Sequence, residues 1–414
     1  GIIFAIISFF IGLIAILVSV MQSSPAEETV SPPAAPYLSG SCVEYTGALF
    51  EVDCDGCSPP VDIYGNTTVT AVKKKSLNFY SFTDYGQFEN SSVFSIDFRV
   101  GGADGGVSIS GNVAVVGTPE DTSYDKDSFT GTVYVYDKDS YGSSSSSDGV
   151  WNPTGRLIPR DIADAHQFGR HVDIDGDVIV VSAYDRTGSV YVYRRDVNNT
   201  WVEEAKIAPN QPLNKDFGKS AKVKGNRIVV GDRLFGYKPE GVVYLYEYNE
   251  NLGNWSQLPD PIQEITCDGR FGVIVALANE HDLMVGCPFY GKKKGAVYHY
   301  TQSIDGGAYS LRQILTASDG VDGNRFGGPQ QISADGNVMA IGEYRNENGL
   351  AYIFVRESQE SNWTEVAKIN APNPESPYFG DQVALSGTKV LIASSDNVYS
   401  YDLKECVTEH QLFN

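Results

Sequence analysis

The sequence predicts an all-β protein, a β-propeller in which small antiparallel sheets close into a wheel, preceded by one N-terminal transmembrane helix. Three markers that keep phase predict the wheel. Trp151, Trp201, Trp255, Tyr309 and Trp363 recur along the chain and include all four tryptophans. The pairs Phe168-Gly169, Phe217-Gly218, Phe271-Gly272, Phe326-Gly327 and Phe379-Gly380 follow them at near-constant distance. An aromatic run then completes each unit: Gly131 to Tyr134, Gly188 to Tyr191, Gly241 to Tyr244, Gly295 to Tyr298 and Gly349 to Tyr352. A last run, Asp396 to Tyr399, lacks the glycine. The period is roughly 50 residues, a length that marks propeller blades and related arrays.

Each unit's residues imply its elements. Residues 223–230, Val-Lys-Gly-Asn-Arg-Ile-Val-Val, read as two β-rich runs joined by a turn at Lys224-Gly225, and residues 171–181 repeat this around Asp175-Gly176. Glycine supplies the positive φ that tight hairpin turns need. The aromatic run is a third strand, and the fourth begins at the tryptophan and alternates, as from Trp201 to Ile207. Four such strands cannot bury both faces alone. Stacked radially they can, with apolar second strands such as Ile228 to Val230 inside and amphipathic fourth strands outside.

This order of Phe-Gly, hairpin, Gly-x-Val-Tyr and Trp resembles the FG-GAP repeat family, the blades of integrin-α-like propellers and of many bacterial and algal surface proteins. Residues 117–119 (Gly-Thr-Pro), 286–288 (Gly-Cys-Pro) and 182–184 (Ser-Ala-Tyr) stand where the family has Gly-Ala-Pro. The resemblance covers about residues 100–402. It implies the fold, and function only loosely, because one architecture hosts unrelated activities. It also implies a calcium loop in the first hairpins of some blades. Here those turns, at Ser110-Gly111, Asp175-Gly176, Lys224-Gly225, Asn279 to His281, Asp335-Gly336 and Ser386-Gly387, are too short to wrap a cation that takes six to eight oxygens. No cofactor is therefore expected. Asp121, Asp125 and Asp127 form the one candidate calcium cluster, against the plainer reading of a solvated acidic loop.

From the start of the chain, residues 1–22 carry no charge and are long enough as an apolar run to cross a bilayer as a helix. A signal peptide has a shorter apolar core and a small-residue cleavage site, so a retained anchor is expected. Residues 23–41, with Pro25, Pro32, Pro33 and Pro36, read as a linker. Residues 42–99 read as a degenerate first blade or closing strands, with β-type runs at 48–52, 67–72, 77–82 and 92–98. Residues 100–406 hold the clear blades, and 407–414 are a tail. Six clear hairpin units plus the degenerate one favour seven blades. Alternatively the run near 92–98 completes the last unit and six blades close the ring.

Sequons at Asn66, Asn90, Asn198, Asn254 and Asn362 point to a glycoprotein facing the secretory lumen or the exterior. The six cysteines, Cys42, Cys54, Cys57, Cys267, Cys287 and Cys406, fit disulfides in such a compartment. Cys267 and Cys287 lie within one repeat, and the others flank the soluble region, so a bridge from its start to its finish is expected. Cys54 and Cys57 have zinc or redox spacing but no second pair nearby.

A net charge of −21 argues against nucleic acid or an anionic bilayer surface as the main partner. The 25 tyrosines and only 3 methionines suit strands better than helices. Gly218-Lys219-Ser220 imitates a phosphate loop but belongs to a repeat Phe-Gly. No HExxH or Gly-x-Ser-x-Gly occurs, so no catalytic residue is expected.

Function is sought in the loops. In a four-stranded meander the loops from strand two to three and from strand four to the next strand one emerge on one rim. The two-to-three loops carry Tyr184, Arg186, Arg233, Phe235, Tyr237, Phe289, Tyr290, Lys292, Tyr344 and Arg345. Aromatics beside cations suit a glycan or protein ligand; the plainer reading is that they cap the blade ends. The expected role is thus a membrane-anchored adhesion, recognition or scaffold module. Two rivals are a structural subunit of a surface filament or coat, and a hydrolase or lyase with convergent carboxylates or histidines at the axis.

Overall fold

The computed structural model describes residues 42–412 except 52–60, 65–66, 73–75, 83–87, 96–105, 120–129, 139–150, 162–166, 184–187, 210–215, 234–240, 265, 268, 304–305, 329–331, 344–348, 373–377 and 395–396. For 44–51, 64, 67–72, 76–82, 88–95 and 409–412 it describes the backbone only. The expected anchor (1–22) and linker (23–41) lie outside the described residues. Among the described ones no helix is long and apolar enough to cross a membrane.

The described strands form antiparallel sheets in the manner of a propeller. Six sheets are each a meander of consecutive strands. Sheet 1 is Val61–Tyr64, Thr67–Val72, Ser76–Phe82 and Phe88–Ser95. Sheet 2 is Val107–Ser110, Val113–Thr118, Thr132–Lys138 and Trp151–Leu157. Sheet 3 is Val172–Asp175, Val178–Ala183, Ser189–Arg195 and Trp201–Ile207. Sheet 4 is Phe217–Lys224, Arg227–Asp232, Val242–Asn249 and Asn254–Gln257, with Ile262–Gln263 added to its third strand. Sheet 5 is Val275–Asn279, Asp282–Cys287, Ala296–Thr301 and Ser310–Leu315. Sheet 6 is Ile332–Asp335, Val338–Glu343, Leu350–Val355 and Thr364–Asn370. A composite sheet 7 joins Gln382–Ser386, Lys389–Ala393 and Asn397–Asp402 to Glu44–Glu51 from the other end of the chain. First strands touch in one cycle, from sheet 1 through sheet 7 and back to sheet 1.

Burial follows the alternation and its interruption. The second strands of sheets 2 to 6 are buried at every position, because both their faces meet a neighbouring sheet. Fourth strands such as Trp201–Ile207 are mostly half-exposed. Every repeat phenylalanine, Phe168, Phe217, Phe271, Phe326 and Phe379, is fully buried. Each Phe-Gly docks on the preceding sheet where only glycine fits: a Cβ on Gly117 would lie 1.8 Å from the Gly169 oxygen, and one on Gly131 2.1 Å from that of Phe168.

Three expectations need correction. The run at 48–52 does not belong with the degenerate unit: strand Glu44–Glu51 completes the last sheet, pairing with Asn397–Asp402. Phe88–Ser95 instead pairs with Ser76–Phe82, so the run near 92–98 does not fill that place. The hairpin turns sit one residue later than read: Ser110 pairs with Val113, Asp175 with Val178 and Lys224 with Arg227, leaving glycine first in a two-residue turn at positive φ. The tail forms a helix, α1 (Lys404–Leu412). Its buried Cys406 is bonded to Cys42, the start-to-finish bridge that was expected, and Cys267 is bonded to Cys287. Cys54 and Cys57 lie outside the described residues.

Candidate functional site

The rim holding the two-to-three and four-to-one loops carries a built cluster between sheets 5 and 6. Phe289 follows the second strand of sheet 5. Around its ring stand Arg270 (Cζ 4.5 Å from the centroid), Arg325 (5.1 Å) and Lys293 (Nζ 5.5 Å). Arg270 and Arg325 each precede a Phe-Gly pair and hold left-handed φ values of 66° and 62°. Their backbone is turned out at the rim while the next residue is buried. Gly291, Lys292 and Lys293 form a left-handed run at φ 54°, 61° and 68°. The backbone beyond it accepts N–H donors from the next four-to-one loop, Arg325 N to Lys293 O at 3.0 Å and Phe326 N to Lys294 O at 2.9 Å. Tyr290 packs edge-on against Tyr298, ring centres 6.1 Å apart.

Of the rim residues expected from sequence, Phe289 is at the centre of this cluster, Tyr290 packs beside it against Tyr298, and Lys292 stands exposed next to it, 4.0 Å from Asp322. Arg233 is engaged within its own sheet, its Nε donating to buried Asp216 at 2.6 Å. Tyr184, Arg186, Phe235, Tyr237, Tyr344 and Arg345 lie outside the described residues, as do Asp121, Asp125, Asp127 and Asn66. Sequence reasoning missed Arg270, Lys293 and Arg325. The signal available was position: the residue before each Phe-Gly belongs to a four-to-one loop of the same rim. Asn198, Asn254 and Asn362 are exposed and lie on three-to-four connections or at the start of a fourth strand, which places them on the opposite rim. Asn90 stands near the start of the fourth strand of sheet 1.

The axis holds a cavity of about 230 Å³ lined by the first strands. Its carboxylates act chiefly as bolts between sheets. Asp62 Oδ2 accepts Ile109 N and Ser108 Oγ, both at 2.9 Å. Asp173 accepts Val223 N at 2.8 Å and Lys222 Nζ at 2.9 Å, and Asp175 accepts Gly225 N at 2.7 Å. Asp335 accepts Gly387 N at 2.7 Å. Burial raises the Asp62 pKa against the pull of Lys222. Burial also lowers Lys222, but Asp173 and Asp62 outweigh it and leave that amine raised. His171, at the same wall, is pushed down to about 3 by burial and by Lys219, Arg170 and Lys222. The carboxylates thus converge at the axis, yet each of these four oxygen pairs already receives a backbone N–H.

Outside the axis, sheets are tied by ionic knots. Asp282 receives Arg356 Nη2 at 2.8 Å and stands 3.0 Å from His299 Nε2, with Arg356 stacked 4.5 Å over Trp363. Burial raises the Asp282 pKa, but bonds from His299 and Arg356 prevail and hold it below the usual carboxylate range. Asp161 binds Tyr191 and Lys206, and Asp319 repeats this with Tyr352 and Lys368. Among the described residues, no group of three or more His, Cys, Asp or Glu is placed to hold a metal ion.

The FG-GAP repeat family matches residues 151–193 and 309–354. Each match starts at the fourth strand of one sheet and ends in the third strand of the next. No curated protein matches the chain. Among solved structures, the chain is similar to the one described as the crystal structure of the WD40 beta propeller domain of Doa1. The TM-score is 0.51 at 11% identity, over 87% of this chain and 97% of that one. At that identity the likeness concerns the fold.

Proposed function

We propose that this chain, an FG-GAP-repeat β-propeller protein, is a binding module that engages its ligand through the rim of two-to-three and four-to-one loops. The observation that carries the reading is the cluster of Arg270, Lys293 and Arg325 around Phe289, drawn from three separate segments and two sheets. Three cations gathered around one ring repel one another, a cost that a mere cap on a blade end does not require. The sequons support the same polarity, since glycans at Asn198, Asn254 and Asn362 would leave this rim bare. The disulfides and sequons suit a secreted or luminal setting, and residues 1–22 suit a membrane anchor, so the module would be displayed from a membrane.

The test is an array of glycans and surface proteins probed with the full chain beside a variant carrying Phe289→Ala and Arg325→Gln. The expected result is a ligand retained by the native protein and lost by the variant at equal thermal stability. Equal retention by both contradicts the rim. Alkaline carbonate extraction of membranes tests the anchor: the protein is expected to stay with the bilayer, and release into the wash contradicts anchoring.

A further inference from the structure

We infer that the rim between sheets 5 and 6 is a docking site for an acidic polysaccharide, sulfated or carboxylated; the inference rests on the rim-binding reading and names its ligand chemistry. Three observations converge on it. The first is charge, a local positive patch set against the protein's net −21. Arg270, Lys293 and Arg325 crowd one ring, and Lys292 and Lys294 extend the cluster outward with side chains 84% and 50% exposed. Asp322, 4.0 Å from both of those lysines, offsets part of this.

The second is backbone strain. Non-glycine residues in the left-handed region persist only where their surroundings hold them, and such residues gather at ligand clamps. Lys292 and Lys293 are two in succession. Arg270 and Arg325 take the left-handed turn that Gln167 and Tyr378 also take before their Phe-Gly pairs, so theirs belongs to the repeat joint and the strain particular to this rim is that of the two lysines. The third is preorganisation. The Cys267–Cys287 disulfide ties the chain three residues before Arg270 to the chain two residues before Phe289, so the arginine and its ring are held in register before any ligand arrives.

The occupant follows from what the patch lacks at its centre. Protein partners take most of their affinity from a buried aromatic or apolar anchor. Here the Phe289 ring is already flanked by cations, and Tyr290 is turned into the core against Tyr298. What remains is positive charge and N–H donors from Lys292, Lys293, Lys294 and Arg325 along the rim. A hydrated chain with repeated anionic groups satisfies that array without needing an apolar socket.

The experiment measures binding of the full chain to immobilised dextran sulfate and alginate, with neutral dextran and poly-glutamate as comparisons, over a series of salt concentrations. At least one anionic polysaccharide is expected to bind, more tightly than poly-glutamate, with affinity falling as salt rises. Neutral dextran is expected not to bind. Lys293→Gln with Arg325→Gln should weaken binding about tenfold or more and flatten the salt dependence. Lys292→Gln with Lys294→Gln, at exposed positions that spare the fold, should weaken it by a smaller factor. Failure of both polysaccharides to bind, poly-glutamate binding as tightly as they do, or native affinity in both double variants overturns the inference. If the array then yields a neutral glycan or a protein lost on Phe289→Ala with Arg325→Gln, the rim reading stands and only the polyanion is wrong. A rim that captures nothing overturns both.

Discussion

Asp282 shows how one carboxylate can hold a seam. It lies buried with Arg356, which is fully buried as well, so the pair is stable only while both charges are present. Asp282→Asn would leave the guanidinium uncompensated and is expected to cost about 3–5 kcal/mol, read from urea unfolding at neutral pH. Its folded pKa is depressed, so its contribution is complete above the ordinary 3.8 and is lost as pH falls below that value. His171 acts in a separate window. The folded protein keeps it neutral, with its pKa pushed down to about 3 from 6.5, so the unfolded chain binds the extra proton as pH falls through 6.5. Stability should therefore decline on acidification between about 6.5 and 3, and His171→Gln should flatten that limb while leaving the steeper loss below 3.8. An unchanged limb in the variant contradicts this. Neither residue stood out in the sequence. Asp282 and Arg356 are in different repeats, and only the closure of adjacent sheets puts them in contact.

At the scale of the element, the Phe-Gly docking is the repeating joint. A Cβ on Gly241 would lie 1.7 Å from the Phe271 carbonyl oxygen, so Gly241→Ala must push sheets 4 and 5 apart. A cost of about 3 kcal/mol is expected. Gly176 tests the alternative source of strain. Its φ is +55° but no atom would meet its Cβ, so Gly176→Ala should cost about 1 kcal/mol. Thermal melts that rank the two variants the other way would remove the docking argument. These joints were legible in sequence because Phe, Gly and Trp recur in phase. The turns were misplaced by one residue because Asp175-Gly176 and Gly176-Asp177 are equally good as local turn signals. Only the strand register, with Asp175 opposite Val178, distinguishes them. The rim site was half legible: Phe289, Tyr290 and Lys292 adjoin in sequence, whereas Arg270 and Arg325 reach Phe289 from neighbouring loops.

For the whole molecule, the last sheet takes its fourth strand from the other end of the described chain, and the Cys42–Cys406 bond fastens the two ends beside that seam. Cys42→Ser with Cys406→Ser is expected to lower stability by about 2–4 kcal/mol, seen as a lower melting midpoint, and an unchanged midpoint would show that strand pairing alone closes the structure. The bridge was foreseeable from cysteines at both ends, and the run at 48–52 was legible as a β run that closing strands could use, but its partner was not, because residues 44–51 carry none of the repeat's markers. Closure places the described parts of the two-to-three and four-to-one loops on one rim, and the proposed function depends on that rim. The most direct measurement is amide hydrogen exchange of the full chain with and without the tightest array ligand. The account predicts slowed exchange at residues 269–272, 289–295 and 324–327, with the opposite turns at 176–177, 225–226 and 336–337 unchanged. Protection confined to those opposite turns or to the axial strands would contradict it.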